Sequence, residues 1–292
     1  MSVEASEAPV PAPGRGLAAL RGVAADPMGA LGLFLVLVIL VAALCADLSP
    51  YLPSKLMPAD RFASPSLAHL MGADHLGRDL FTRVLHGARI ALFVALVSTG
   101  ISLAGGLVLG MTAGYGPRWL DTVLLLVFDA LRSFPTVMLA LALVTLTGPS
   151  LSAVIAVVVI ATLPGYARVV RAQTMTLRNA EFVLAARSLG ASAPRILLLD
   201  VMPNLIGPLL ILVSMDIPVV ITIEAGMSFL GLGVRPPTPS WGAILNDGYA
   251  FIRESPWAAI AGGLPIVIAT LGFTFLGESL RDRFDPRLRR EG

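Results

Sequence analysis

Two long stretches without a charged residue limit the fold of this chain more than any other feature of its sequence. Residues 90–117 and 133–167 contain no Asp, Glu, Lys or Arg, and each is longer than the roughly 20 apolar residues that cross a bilayer as a helix. Of the 292 residues, 56% are hydrophobic and 14% are charged, whereas soluble domains have about 25% charged residues. With a mean hydropathy of +0.82, the chain is predicted to be an all-α integral membrane protein.

The apolar segments divide into six predicted transmembrane helices. The stretch 133–167 is too long for one span, and the sequence Thr-Leu-Thr-Gly-Pro-Ser at 145–150 is typical of a tight turn between two spans. The six helices are therefore predicted near 28–46, 90–115, 122–147, 150–167, 205–230 and 257–277. An even number of spans places both termini on the same side of the membrane.

The distribution of basic residues predicts which side that is. With both termini in the cytosol, thirteen basic residues lie on the cytosolic side, seven lie outside, and Arg132 falls within the third helix. Because cytoplasmic segments carry the excess of Lys and Arg, the prediction is N-in, C-in. A cleaved signal peptide is disfavoured for the first apolar run, which is long and follows an extended N-terminal segment. Five parts are predicted. They are a cytosolic tail (1–27), a first transmembrane helix (28–46), a periplasmic segment (47–89), a core of five helices (90–280) and a second cytosolic tail (281–292).

The periplasmic segment carries an amphipathic stretch and several histidines. Residues 79–89 place their apolar side chains on one helical face, which predicts a helix at the membrane surface. The histidines of this segment follow no spacing that is typical of a metal site, and no cysteine lies near them, so no metal is predicted. They are His69, His75 and His86.

Several kinds of chemistry are excluded by the residues that are scarce. Lys55 is the only lysine, and a phosphate-binding P-loop requires Gly-Lys-Ser/Thr, so the chain is predicted to bind no ATP itself. No Ser/His/Asp or Cys/His set suggests a catalytic site, which leaves a membrane-embedded enzyme without candidate residues. Cys45 is the only cysteine, so no disulfide forms within the chain. A net charge of +2 is too small to indicate binding to nucleic acid.

The segment 168–204, between the fourth and fifth spans, is predicted to be helical rather than a simple loop. Asn179 is a candidate N-cap, Glu181 lies in the first turn, where the helix dipole favours an acid, and Gly190 is a typical C-terminal stop. Either a partner binds this short helix or it packs under the chain's own bundle, and the sequence leaves both interpretations open. The side chains predicted to be exposed are Phe182, Val183, Ala185, Ala186 and Leu189.

Four charged residues lie within or near the predicted spans, where each costs about 2.5–3.5 kcal/mol unless it has a partner or a water-filled face. Asp129 and Arg132 are three residues apart and are predicted to form an ion pair. Asp216 and Glu224 both lie on the fifth span. They either line a translocation path or contact neighbouring helices.

Several motifs resemble those of a known family. Leu184-Ala-Ala186-x3-Gly190, followed by Met202-Pro203-Asn204, resembles the cytosolic signature of ABC-importer permease subunits, with Leu184 where the signature usually has Glu. Five further motifs resemble the second (C-type) permease of the dipeptide/oligopeptide/nickel importers, and the resemblance runs from about residue 26 to the C-terminal end. These are Gly72-Ala-Asp-His-Leu-Gly-Arg-Asp79, Gly87-Ala-Arg89, Ser228-Phe-Leu-Gly-Leu-Gly233, Pro236-Pro-Thr-Pro-Ser-Trp-Gly242 and Leu280-Arg-Asp-x-x-Asp-Pro-Arg-Leu288.

This resemblance implies a fold, a set of partners and a location. The fold is the type I ABC-importer permease fold in the inner membrane. The partners are a homologous permease (as a heterodimer), two ATPase subunits that bind ATP and Mg²⁺, and a periplasmic substrate-binding protein that docks on the outer loops 47–89 and 231–256. The chain itself would hold no cofactor, and the solute would be a peptide or a similar molecule.

The resemblance also assigns a role to the short cytosolic helix, which in this family couples the permease to the ATPase. The residues to which it assigns this role are Glu181, Phe182, Ala185, Ala186, Arg187, Gly190, Arg195 and Pro203. The alternative function is a secondary transporter that uses Asp216 and Glu224 as proton or cation sites.

Overall fold

The computed structural model describes residues 22–284, which form a bundle of α-helices and confirm the all-α fold class. The predicted cytosolic tails therefore lie mostly outside the described residues, at 1–21 and 285–292. A π-helical segment, Ile196–Val201, lies between the two of these helices that end at Arg195 and begin at Met202. The helices are α1 (Pro27–Leu44), α2 (Leu80–Tyr115), α3 (Arg118–Ser133), α4 (Thr136–Thr147), α5 (Leu151–Leu177), α6 (Glu181–Ser188), α7 (Ala193–Arg195), α8 (Met202–Phe229), α9 (Trp241–Ala250) and α10 (Trp257–Phe284).

Five spans in the described part of the chain are long and apolar enough to cross a membrane, and a sixth is bent. The five are Pro27–Leu48, Leu80–Tyr115, Leu151–Leu177, Ala193–Phe229 and Trp257–Arg283. The sixth consists of α3 and α4, which together pass the same test of length and composition but meet at an angle of 89°. The prediction of six spans is thus met only when this bent pair is counted as one.

The bend corrects the single helix predicted at 122–147. Pro135 lacks the N–H that would continue the helix, and it disfavours the helical conformation at the residue before it. Phe134 accordingly has an extended backbone, with φ −82° and ψ 127°. The 12 residues of α4 span only about 18 Å, which is less than the roughly 30 Å hydrocarbon core.

The second span begins at Leu80, ten residues before its predicted start. Asp79 caps it, because its side chain accepts a hydrogen bond from the Thr82 backbone N–H at 2.7 Å. The predicted amphipathic helix at 79–89 is therefore the first part of α2, and the boundary at 89 and 90 falls inside a continuous helix. Arg83, which lies in this part of α2, is only 3% exposed. The prediction of a surface helix with its charged face in water is therefore wrong.

The contact between α2 and α5 brings the two backbones close together. Gly106, Gly110 and Gly114 form a stripe of small residues on α2, which is typical of closely packed membrane helices. A Cβ atom on Gly110 would lie 2.5 Å from the carbonyl oxygen of Ala167 on α5, and one on Gly114 would lie 2.7 Å from that of Arg171. The missing side chains therefore allow this approach.

We predict that alanine substitution destabilises the protein at one glycine of α2 and not at another. Gly110→Ala should destabilise the protein, by about 1–3 kcal/mol for a contact that cannot relax, because the new methyl group meets backbone. Gly100→Ala should be neutral or stabilising by up to about 1 kcal/mol, since alanine favours helix and a Cβ there meets nothing within 4 Å. Thermal unfolding of the two purified variants in detergent measures the difference. Equal melting temperatures would contradict the close contact.

Candidate functional site

The two ends of the short helix α6 are capped differently. The predicted N-cap, Asn179, does not cap it, because the N-cap position is Ala180, which provides no side-chain hydrogen bond. Glu181 lies in the first turn, as predicted. The predicted stop at Gly190 is confirmed: this residue has φ +82°, and its N–H bonds the Arg187 carbonyl at 3.0 Å. The next N–H, of Ala191, bonds the Ala186 carbonyl at 3.1 Å, which completes a Schellman motif.

One face of α6 packs against the chain's own bundle. Val183 is fully buried, so its predicted exposure is wrong, and Ala186 is half-buried against the same apolar cluster. The helix is therefore braced internally along this face. The buried members of the cluster come from α2, α5, α6, α8 and the π-helical segment, and they are Met111, Tyr166, Val170, Val183, Ile196, Val201, Leu205 and Leu209.

The opposite face of α6 leaves apolar side chains uncovered. Phe182 is 46% exposed, Leu184 is 45% exposed, and Leu189, just after the helix, is 89% exposed. Ala185 is exposed between them. Leu184 is thus outward-facing, at the position where the family signature usually has Glu.

Two arginines tie this region to the end of α2. The Arg187 guanidinium donates to the Tyr115 hydroxyl at 3.1 Å and lies over that ring, 5.5 Å from its centroid. Arg178 donates to the Gly114 carbonyl at 3.2 Å. Sequence reasoning missed Tyr115, for which the only signal was an aromatic residue at the end of an apolar run. Arg195 and Pro203, the remaining predicted residues, are exposed.

The two acidic residues of α3, Asp121 and Asp129, pair with arginines of α5 rather than within α3. Asp129 pairs with Arg168, so the predicted pair with Arg132 is wrong. Asp121 pairs in the same way with Arg171, whose Nη2 lies 2.6 Å from its Oδ2. Because α3 packs against α5, an arginine on the neighbouring helix reaches Asp129. Arg132 lies at the exposed end of α3, next to the bend.

Asp216 and Glu224 occupy different environments. Asp216 lines a cleft of about 420 Å³ that Arg132 and Arg168 also line. Glu224 is buried, and one of its carboxylate oxygens accepts a hydrogen bond from the Ser228 hydroxyl at 2.8 Å. Of the two predicted path residues, only Asp216 therefore lies at an open surface, whereas the environment of Glu224 favours a structural role.

An ion-pair network holds the outer segments together. Arg78 binds Asp74 at 2.6 Å and Asp247, on α9, at 3.0 Å, while Arg83 lies 3.7 Å from Asp74. Asp74 also accepts two backbone N–H groups of its own loop, at 2.8 and 2.9 Å. Ligand atoms of Asp74, His75 and Asp247 lie within 4.8 Å of one another, but both carboxylates already pair with Arg78, and Arg83 lies beside Asp74.

We predict that Asp74→Ala destabilises this outer network strongly. Removing one partner of a buried ion pair costs about 3–5 kcal/mol, and Arg78 and Arg83 are both buried here. Asp60→Ala is the control, because that carboxylate is 43% exposed and lies 3.7 Å from the imidazole of His69, so its loss should cost no more than about 1 kcal/mol. Limited proteolysis of residues 47–79 and thermal unfolding would both report the effect. Similar cleavage rates for the two variants would refute the assignment.

Several apolar spans, together with a short helix that packs on the bundle along one face and leaves apolar side chains exposed, are typical of a membrane protein that works with a partner. Residues 106–290 match the family model of the binding-protein-dependent transport system inner membrane component. The chain belongs to this family. It is the permease subunit of an ABC importer in the inner membrane, and it is not an enzyme, because ATP is bound and hydrolysed by separate ATPase subunits.

Curated relatives cover most of the chain. The dipeptide transport system permease protein DppC of Alkalihalophilus pseudofirmus is 37% identical over 80% of this chain and 76% of its own length. The glutathione transport system permease protein GsiD of Pectobacterium atrosepticum is 38% identical, over 89% and 87%. The di/tripeptide transport system permease protein DppC of Pseudomonas aeruginosa is 36% identical, over 89% of each.

A solved structure supports the fold. A chain of the MetNI methionine ABC transporter, in inward-facing conformations, aligns with a TM-score of 0.58 and 18% identity, over 70% of this chain and 96% of that chain. This likeness confirms the type I importer permease fold. The family also implies a further permease, ATPases and a binding protein as partners.

Proposed function

We propose that this permease carries short peptides, as one half of a heterodimer with a homologous permease. The solute is delivered by a periplasmic binding protein, and two ATPase subunits drive its passage. The relatives named for dipeptide, di/tripeptide and glutathione transport support this solute class, since all three of these solutes contain a peptide bond. The cation-coupled alternative has no support from the family, which draws on ATP hydrolysis.

The main support for the proposal is that α6 has one face buried in the bundle and another with exposed apolar side chains. Val183 anchors the helix in the bundle, while Phe182 and Leu184 remain exposed. Exposed apolar groups of this kind mark protein interaction sites. We therefore assign the outer face of α6, with Ala185 at its centre, to the groove of an ATPase subunit.

The attachments of α6 suggest how closure of the ATPase dimer is transmitted. The helix is joined to α2 by Arg187 and Tyr115 and to α8 by the shared apolar cluster. A push on its outer face therefore moves the ends of these spans together, as a rigid body. Leu184 contributes an apolar contact in place of the carboxylate that the signature usually supplies.

We predict that Ala185→Glu uncouples the complex without harming the permease. The exposed site tolerates the change in the isolated chain, at a cost within about 0.5 kcal/mol, but an unpaired charge cannot be buried in the ATPase groove. Uptake by reconstituted proteoliposomes and copurification of the ATPase should both fall at least about tenfold. Melting temperature of the permease alone should not change.

The control is Ala172→Glu, the same substitution at an exposed alanine of α5 outside α6. It should retain uptake and ATPase binding. Ala186→Glu should behave differently from both, because its half-buried side chain packs on the internal cluster, and it should lower the stability of the permease itself. Normal uptake by Ala185→Glu would exclude α6 from the ATPase contact.

The proposed sidedness has its own test, for which Cys45 is replaced by Ser to give a thiol-free chain. Leu67→Cys and Leu189→Cys then place single thiols at positions that are 100% and 89% exposed. A membrane-impermeant maleimide should label the first in intact spheroplasts and the second only after permeabilisation. Labelling of position 189 from outside would refute the N-in, C-in orientation.

Peptide transport is tested by uptake of radiolabelled dialanine into proteoliposomes that contain the whole complex. Uptake should require ATP inside the vesicles and the binding protein outside. Uptake driven by a proton or sodium gradient, without ATP, would favour the secondary-transporter alternative. Absence of dialanine uptake by a complex that hydrolyses ATP when another solute is supplied would refute the peptide assignment.

A further inference from the structure

A cleft of about 420 Å³ opens between α5, α8 and the bend that follows α3. Its volume falls in the range of sites that bind small molecules, about 300–1,000 Å³. Most of its surface is apolar, and the charged groups are Arg132, Arg168 and Asp216. The apolar and small lining residues, with one threonine, are Ala161, Thr162, Gly165, Val169, Leu212 and Val219.

The charges of the cleft are only partly neutralised by the chain itself. Arg168 pairs with Asp129. Among residues 22–284, neither Arg132 nor Asp216 forms an ion pair. Asp216 lies within α8, where an unpaired charge costs about 2.5–3.5 kcal/mol, so it requires a counter-charge or water. Arg132 is exposed at the end of α3 and is free to bind an anionic group. The cleft thus presents one unpaired cation and one unpaired anion.

A buried hydroxyl adds a third polar group beside the cleft. The Tyr166 side chain is fully buried, and its hydroxyl lies beside the Asp216 carboxylate, which is its available hydrogen-bond acceptor. Such a group is expected to have a partner in a folded protein. The Ser102 hydroxyl, in contrast, is already bonded to Thr162, at 2.8 Å.

We propose that this cleft binds a solute that carries both an ammonium and a carboxylate group, the size of a dipeptide or tripeptide. Asp216 binds the ammonium group and Arg132 binds the carboxylate, while the apolar lining accepts the side chains. A divalent cation would meet two arginines, and a simple anion would meet Asp216, so neither matches the charges. This inference rests on the proposed function, because it gives the solute a binding place inside the permease.

The test measures protection of a thiol placed in the cleft, and it needs no binding protein. In the Cys45→Ser background, Ala161→Cys provides the thiol, and the complete complex of permeases and ATPases is kept in detergent without ATP. The rate of maleimide labelling is read from the gel band of this chain. Dialanine at millimolar concentration should slow labelling at least about threefold, whereas N-acetyl-dialanine and dialanine amide, which each lack one charge, should not.

Two variants, with two controls, test whether Arg132 and Asp216 bind the charged groups of the solute. Arg132→Gln and Asp216→Asn should each abolish protection by dialanine. Arg118→Gln, on the same helix as Arg132, and Asp282→Asn, on α10, change exposed groups away from the cleft and should leave protection unchanged. Should a neutral variant not assemble, Arg132→Lys, which keeps the charge, should retain protection that is weaker than in the parent.

Equal protection by all three compounds, or none by dialanine, overturns the inference. The experiments distinguish failure of the cleft assignment from failure of the proposed transport function. ATP-dependent uptake of dialanine with no protection of the thiol refutes only the cleft assignment. Protection without any uptake refutes the proposed transport while the binding site stands.

Discussion

Close contact between α2 and α5 is the constraint on which the rest of the structure depends. Three glycines on one stripe of α2 allow the backbones to meet at distances that a methyl group would prevent. Lipid offers little hydrophobic drive for helix association, so such contacts supply the packing energy instead. With α2 and α5 fixed to each other, the arginines near the end of α5 are presented to α3, and α6 has a fixed base.

The cleft and the bent span share a cause. Pro135 ends α3 early and turns the chain into α4, which leaves Arg132 at the end of a helix instead of within a span. The ion pairs of Asp121 and Asp129 hold α3 against α5. A cleft with three charged side chains in a mostly apolar lining therefore forms beside the bend, and Asp216 lies on its α8 side.

Much of the architecture could be predicted because hydropathy, turn residues and capping residues act locally. The approximate positions of the spans and the stop at Gly190 follow from such local rules, whereas the 89° bend at Pro135 replaced the single helix that hydropathy predicted. The partner of Asp129 and the burial of Val183 could not be predicted, because both depend on which side of one helix faces another. The same limit applies to Asp216 and Glu224, which lie on one helix in different surroundings.

The proposed ATPase contact would place the two faces of α6 under different constraints. Val183 and Ala186 must fit side chains encoded by the same gene, so a change there requires compensation within this chain. In the proposed contact, the outer residues would need to fit only another gene's product, and they could change together with it without loss of the fold. Leu184, exposed where related permeases usually have an acid, is a substitution that such an arrangement permits. Under the proposed coupling role, exchange of ATPase subunits between related transporters would be limited by a few outward side chains rather than by the membrane domain.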